Sequence, residues 1–199
     1  MNNSILVITG SPKKDGNTAA LVEWFAGAAR SSGAVVEIIN AATLDVKVNG
    51  CQSCRACQKR AEYVCVFNDG VKLALDKMMA AGAIVMATPL YFFSASAQIK
   101  QVFDRMFSLY KWDNEANTMK TSLKGKIFAV IASAYEAQGF DSLEEPFRMT
   151  AEYTGMKYLS LVVPDAGASG EVRKKPGVRE KAESFGKRIA GILTAPPPP

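Results

Sequence analysis

Histidine is absent from the 199 residues of this chain. The usual general base near neutral pH and the commonest metal ligand are therefore missing. A Ser/His/Asp hydrolase and a His-ligated zinc enzyme are excluded, so chemistry has to come from a cofactor or from Cys, Tyr, Lys, Asp and Glu. Long apolar runs are missing too, and no stretch approaches the roughly 20 residues that span a bilayer. The polar start Met1-Asn2-Asn3-Ser4 leads straight into Ile5-Leu6-Val7-Ile8, too short an apolar core for a secretory signal. The expectation is a soluble, cytoplasmic protein. Neither G-x-x-x-x-G-K-[ST] nor G-x-G-x-x-G occurs, which sets aside a P-loop NTPase and a Rossmann dinucleotide site.

Residues that are 48% hydrophobic over this length suit one compact domain, read as 1–194, with a Pro-rich tail over 195–199. The formal net charge is +5, with small basic clusters at Lys13-Lys14, Lys120 to Lys126 and Arg173-Lys174-Lys175. No nucleic-acid motif accompanies them, so they read as a solvated basic surface suited to acidic redox partners or phosphorylated cofactors. No nucleic-acid or membrane partner is expected.

Short Ile- and Val-rich runs alternate with segments of helical period. Strands are predicted at Ile5–Thr9, Val35–Asn40, Ile84–Ala87, Ile127–Ser133 and Tyr158–Val163. They lack a polar alternate face, as expected when helices cover both sides of a sheet. Helices are predicted at Thr18–Arg30, Val71–Ala81, Ala95–Leu109 and Val178–Leu193. A further one is capped by Asp141 or Ser142 and ends at Gly155, with Pro146 near its first turn. Strict alternation predicts an α/β, three-layer, doubly wound fold with a five-stranded parallel sheet. Ligands in such folds bind beyond the carboxyl ends of the strands, which directs attention to the segments after strands one, three and four. Two longer stretches, Leu44 to Asp69 and Tyr110 to Lys124, exceed the minimal plan, and long loops are commonly functional.

After the first strand comes Thr9-Gly10-Ser11-Pro12-Lys13-Lys14-Asp15-Gly16-Asn17-Thr18. Gly10 and Gly16 allow sharp turning and expose N–H groups, while Ser11, Asn17 and Thr18 supply short donors. A helix start adds a favourable dipole, and Lys13 or Lys14 could balance a phosphate dianion. The same residues would also make an ordinary strand-to-helix turn capped by Asn17 or Thr18. The segment Gly10 to Thr18 resembles the FMN phosphate loop of the NADPH-dependent FMN reductase and iron–sulfur flavoprotein family, and the resemblance runs from Ile5 to about Gly191. It implies a flavodoxin-like fold with strand order 2-1-3-4-5, FMN as cofactor, and phosphate binding by Ser11, Asn17 and Thr18. Lys13 stands where many relatives carry Arg.

The third strand runs into Thr88-Pro89-Leu90-Tyr91-Phe92-Phe93-Ser94. Three consecutive aromatics after a proline expose at least one ring, and a flat isoalloxazine wants such surfaces and nearby backbone amides. They would also serve as a helix-start cluster packed on the core. The run is similar to the family's isoalloxazine loop, which implies flavin contacts from Pro89, Leu90, Tyr91 and Phe92. Gln98, Lys100, Asp104 and Arg105 look like the family's following helix, with Asp104-Arg105 read as structural. After the fourth strand, Ser133, Ala134, Tyr135 and Gly139 form the third expected ligand loop.

All four cysteines, Cys51, Cys54, Cys57 and Cys65, follow the spacing C-x2-C-x2-C-x7-C. Disulfides are disfavoured in a reducing cytoplasm. Four thiolates could hold a [4Fe–4S] cluster, a structural zinc ion, or remain free or redox-active thiols. The pattern is similar to the cysteine motif of iron–sulfur flavoproteins, which implies the cluster.

Three functions stay open. The first is an FMN-dependent oxidoreductase passing electrons between a reduced donor and an acceptor through a [4Fe–4S] cluster, with a ferredoxin-like carrier as partner. The second is a cluster-free NAD(P)H-dependent FMN or quinone reductase, with NAD(P)H as co-substrate. The third is a zinc-binding, non-enzymatic module. The resemblance also implies a homodimer or homotetramer.

Overall fold

A computed structural model describes residues 2–113 and 115–195. Five parallel strands make the central sheet: β1 (Ser4–Thr9), β2 (Val35–Asn40), β3 (Ala83–Tyr91), β7 (Ile127–Ser133) and β8 (Lys157–Val163). Their order is β2-β1-β3-β7-β8, the flavodoxin-like 2-1-3-4-5 arrangement expected from the sequence. Residue alternation divides the core into two layers. Ile5, Val7, Val85 and Ile131 point toward α1 (Asn17–Ser31) and α5 (Val178–Thr194). Leu6, Ile8, Met86 and Val130 point toward α2 (Gly70–Ala80), α3 (Ala97–Arg105) and α4 (Phe140–Thr154). Both faces are therefore apolar because both are covered.

Gly186 on α5 packs directly against the backbone of α1. A Cβ there would lie 2.3 Å from the Phe25 carbonyl oxygen of α1. Backbone cannot retreat as a side-chain tip can, so Gly186→Ala should destabilise the protein by about 1–3 kcal/mol. A denaturant midpoint equal to that of the unmodified protein would show that α5 shifts freely, contrary to this packing.

Several expected boundaries change. The third strand continues through Pro89 to Tyr91, and β4 (Ser94–Ala95) folds back antiparallel onto it, pairing Leu90 with Ala95 and Tyr91 with Ser94. Consequently α3 starts at Ala97 rather than Ala95. Its N-cap is Ser96, whose hydroxyl accepts from the Ile99 amide at 3.4 Å, and its last stretch, Met106–Leu109, tightens into a 3₁₀ turn. The Tyr110–Lys124 stretch is not an open loop: β5 (Tyr110–Asp113) and β6 (Thr118–Thr121) form an antiparallel hairpin with Trp112 opposite Met119.

The fourth helix begins at Phe140, after Gly139 in a left-handed conformation, rather than at an Asp141 or Ser142 cap. Ser142 instead donates to the carbonyls of Gly139 (2.9 Å) and Phe93 (2.8 Å). Pro146 sits in the second turn, where its missing N–H leaves the Ser142 carbonyl without its helical donor. Of the expected tail, 196–199 lie outside the described residues. Among the described residues, no helix is long and apolar enough to cross a membrane.

Candidate functional site

Where β1, β3, β7 and β8 end, their connections surround a cleft of about 400 Å³. Its size suits a small-molecule site. Its floor is the turn between β1 and α1. Ser11 is buried, and its hydroxyl makes only long contacts: it donates to the Lys13 carbonyl and accepts from the Lys13 amide, both at 3.3 Å. Thr18 Oγ1 and Ser133 Oγ share a buried hydrogen bond of 3.3 Å. Bonds this long are readily exchanged for a better acceptor. The N-cap of α1 is Gly16, extended and without a side-chain cap, so neither Asn17 nor Thr18 caps the helix. The orphan N–H groups of the first turn of this 15-residue helix lie beside the cleft, where an anion would satisfy them. Lys13, exposed at the rim, supplies a cation.

Asn17 lines the cleft as well, and its side chain bonds to protein groups. Its amide nitrogen donates to the carbonyls of Ala166, Gly167 and Ala168 at 3.0–3.3 Å, and its Oδ1 accepts from the Val172 amide at 3.1 Å. The side chain therefore ties the start of α1 to the chain after β8. That tie explains why the loop after the fifth strand contributes Gly167, Ala168 and Ser169 to the cleft. This loop adds to those expected after strands one, three and four. The small-residue run Gly167-Ala168-Ser169-Gly170 was the available signal.

The opposite wall is Pro89, Leu90 and Tyr91, with Ser133, Ala134 and Tyr135 at the end of β7. The cleft thus gathers Ser11, Lys13, Gly16, Asn17, Thr18, Pro89, Leu90, Tyr91, Ser133 and Tyr135. Phe92 stands apart. It is 98% exposed at the tip of the β3–β4 turn, and it does not line the cleft. Phe92 and Phe93 both have positive φ, 45° and 62°, which is strained for aromatic residues in a two-residue hairpin. Gly10 is pressed against α3: a Cβ would meet Ile99 Cγ1 at 2.3 Å, and its carbonyl accepts from Ser96 Oγ at 2.9 Å. This contact holds the phosphate-loop candidate against the β3–α3 connection.

The cysteines form a second feature that shares no lining residue with the cleft. Cys51, Cys54, Cys57 and Cys65 all border one small cavity of about 20 Å³, together with Arg55, Arg105 and Phe107 among others. Cys51 and Cys54 are exposed, Cys57 is buried and Cys65 is half-buried. Ser53 and Arg55, between the first three cysteines, have φ values of 52° and 54°, so the loop curls tightly. Burial pushes the Cys57 thiol up, partly offset by the Gln58 amide at 3.7 Å and the nearby Lys111 ammonium. Burial, with Tyr153 beside it, raises the Tyr110 phenol to about 12.

Arg105, expected to be structural, closes the base of this cavity. It makes a buried ion pair with Asp69 (2.7 Å), the residue whose carboxylate caps α2 by accepting from the Lys72 amide at 3.1 Å. It also donates to the Cys65 sulfur at 3.4 Å and the Phe67 carbonyl at 3.1 Å. Among the described residues, no three His, Cys, Asp or Glu side chains converge closely enough to hold a metal ion. The fit to an iron–sulfur group rests instead on the donor set, four thiols bordering one cavity, and on a buried guanidinium beside them.

The family described as NADPH-dependent FMN reductase matches residues 3–168. An iron–sulfur flavoprotein of Archaeoglobus fulgidus is 32% identical over 199 aligned positions, covering 96% of this chain and 96% of the relative. An iron–sulfur flavoprotein of Methanocaldococcus jannaschii is 36% identical over 101 residues, covering 51% of this chain and 50% of that protein, so only half the relative's length is matched. Among solved structures, the NAD(P)H:quinone oxidoreductase of Methanothermobacter marburgensis superposes with a TM-score of 0.66 at 16% identity. That match covers 96% of this chain and 98% of the other, and it is a likeness of fold.

Proposed function

Because the chain belongs to the NADPH-dependent FMN reductase family, we propose that it is an FMN-dependent oxidoreductase whose four cysteines ligate a [4Fe–4S] cluster. The observation that carries the flavin assignment is the uncapped start of α1, open to a cleft that holds the hydroxyls of Ser11 and Thr18 and the ammonium of Lys13. Ser11, Thr18 and the first-turn amides would bind the phosphate, with Lys13 balancing its charge. Asn17 would keep the Gly167–Ser169 loop against the ligand. Pro89, Leu90 and Tyr91 would offer the isoalloxazine an apolar wall, and small Ala134 would let the chain approach it closely. Bound FMN supplies the redox chemistry itself, exchanging electrons in pairs or singly. No side chain of the cleft has to act as general acid or base, in keeping with a chain that lacks histidine.

Cys51, Cys54, Cys57 and Cys65 would ligate the cluster, which handles single electrons. The similarity to two iron–sulfur flavoproteins and the placing of all four cysteines around one cavity support this assignment. The donor would be NAD(P)H or a reduced ferredoxin-like protein, and the assembly a homodimer or homotetramer in the cytoplasm. A cluster-free NAD(P)H-dependent FMN or quinone reductase is the second reading: among the described residues no three His, Cys, Asp or Glu side chains are placed to hold a metal ion.

An anaerobic visible spectrum of freshly purified protein, with iron, sulfide and zinc assayed on the same sample, separates the two. Flavin bands with about four irons and four sulfides per chain are expected. Flavin without iron or sulfide would move the assignment to the cluster-free reductase. Zinc without flavin would overturn the flavin assignment as well.

A further inference from the structure

We infer that Arg105 is the positioning residue of the cysteine site, orienting Cys65 and lending a second N–H donor to the sulfur of a bound cluster. The inference rests on the cluster assignment made above. Arg105 is the last residue of α3 and is 1% exposed. Its Nη1 is fixed by Asp69 at 2.7 Å, while its Nη2 reaches both Cys65 Sγ at 3.4 Å and the Phe67 carbonyl at 3.1 Å. Two of its three nitrogens are thereby committed.

The third nitrogen is the informative one. Arg105 Nε is buried and has no hydrogen-bond partner, the single such side-chain atom found among the described residues. Buried N–H groups are almost always paired, because an unpaired donor keeps its desolvation cost and recovers nothing. Arg105 borders the same cavity as the four cysteines, and an acceptor bound there within reach of Nε would relieve the deficit. Sulfide and thiolate sulfurs of a cluster are acceptors of that kind.

The Asp69 carboxylate neutralises the guanidinium's net charge but leaves the Nη2 donor on the Cys65 sulfur. Hydrogen bonds to cluster sulfurs are one of the means by which a protein sets a cluster's potential, and those that steady negative charge favour the reduced form. Arg105 should therefore raise the cluster's midpoint potential. Lysine at the same place keeps the charge but cannot present a planar fork to Asp69, Cys65 and a further acceptor together.

The test uses the full chain reconstituted anaerobically. In Arg105→Lys, the cluster's midpoint potential, followed by electron paramagnetic resonance, should shift to a more negative value. A purely structural role would lower the melting temperature and leave that potential unmoved, which would overturn the inference. Where Arg105→Lys fails to retain iron, the unsubstituted residue is read directly. Protein labelled with ¹⁵N-arginine should show a nitrogen hyperfine coupling to the reduced cluster. The coupling should persist in Arg55→Lys, which removes the other arginine bordering the cavity. Its absence would overturn the inference. Unsubstituted protein that takes up no iron and sulfide would instead fail the cluster assignment itself, and the inference with it.

Discussion

Exchanging Ser11 for alanine and Thr18 for valine together should weaken FMN binding by about 100- to 10,000-fold. Hydrogen bonds to a charged group contribute about 1.5–3 kcal/mol each, and about 1.4 kcal/mol is a tenfold change in Kd. Both hydroxyls border the cleft at the uncapped start of α1, and both now make bonds of 3.3 Å that a phosphate oxygen would improve on. Thr18→Val also deprives the buried Ser133 hydroxyl of its partner, so part of its effect falls on the fold. Ser11→Ala is the cleaner arm, with a loss of about 10- to 100-fold expected from one such bond. Titrating apoprotein with FMN and following flavin fluorescence measures both. An unchanged Kd in the double variant, with its melting curve intact, would mean that the phosphate binds elsewhere.

Asp69→Ala should cost the fold about 3–5 kcal/mol, because it strips the partner from a buried guanidinium. The Asp69 and Arg105 side chains are 0% and 1% exposed, and the Arg105 charge cannot be relieved by deprotonation. For a protein of this size the loss corresponds to a fall of about 6–20 °C in Tm. The variant also removes the acceptor at the start of α2 and the contact to the Lys47 amide at 3.1 Å.

Acid unfolding gives the same pair a second readout. Burial alone would raise the Asp69 carboxyl, but hydrogen bonds from Arg105 and from the amides of Lys72 and Lys47 outweigh it and hold it below its ordinary 3.8. A depressed carboxylate contributes stability that is present above its unfolded value and lost as pH falls through the lower folded value. Stability should therefore drop below pH 3.8 in the unsubstituted protein, and Asp69→Asn should lack this component. Parallel stability curves for the two proteins in that range would contradict the coupling.

The parts of the fold legible in the sequence were those governed by local pattern. Uninterrupted Ile and Val runs located the five parallel strands, since strands covered on both faces carry no polar alternation to obscure them. The hairpin after β3 was illegible because Phe92 and Phe93 occupy turn positions where glycine or asparagine is the usual signal. The β5–β6 hairpin was hidden for a related reason: its strands are four residues each, and Lys111 and Lys120 give it the polarity of a loop.

Local chemistry brought most of the cleft into view, but not the division of labour within it. Asn17 is expected as a phosphate donor, and its side chain also holds a loop about 150 residues further along the chain. No local rule reports such a partner. Phe92, expected as a flavin contact, stands exposed on the turn after β3 and outside the cleft lining, a placement that only the hairpin reveals.

By itself the sequence determined the alternation of strands and helices, the glycine- and hydroxyl-bearing loop after β1, and the clustering of four thiols within one stretch. It also excluded histidine chemistry outright. Tertiary structure alone decided that the loop after β8 joins the cleft, that α1 begins without a cap, and that Arg105 lies against Cys65 rather than in solvent. The physical reason is range. Period, propensity and spacing are properties of neighbouring residues, whereas a buried ion pair across 36 positions, like the orphaned Nε beside it, exists only after the helices have packed.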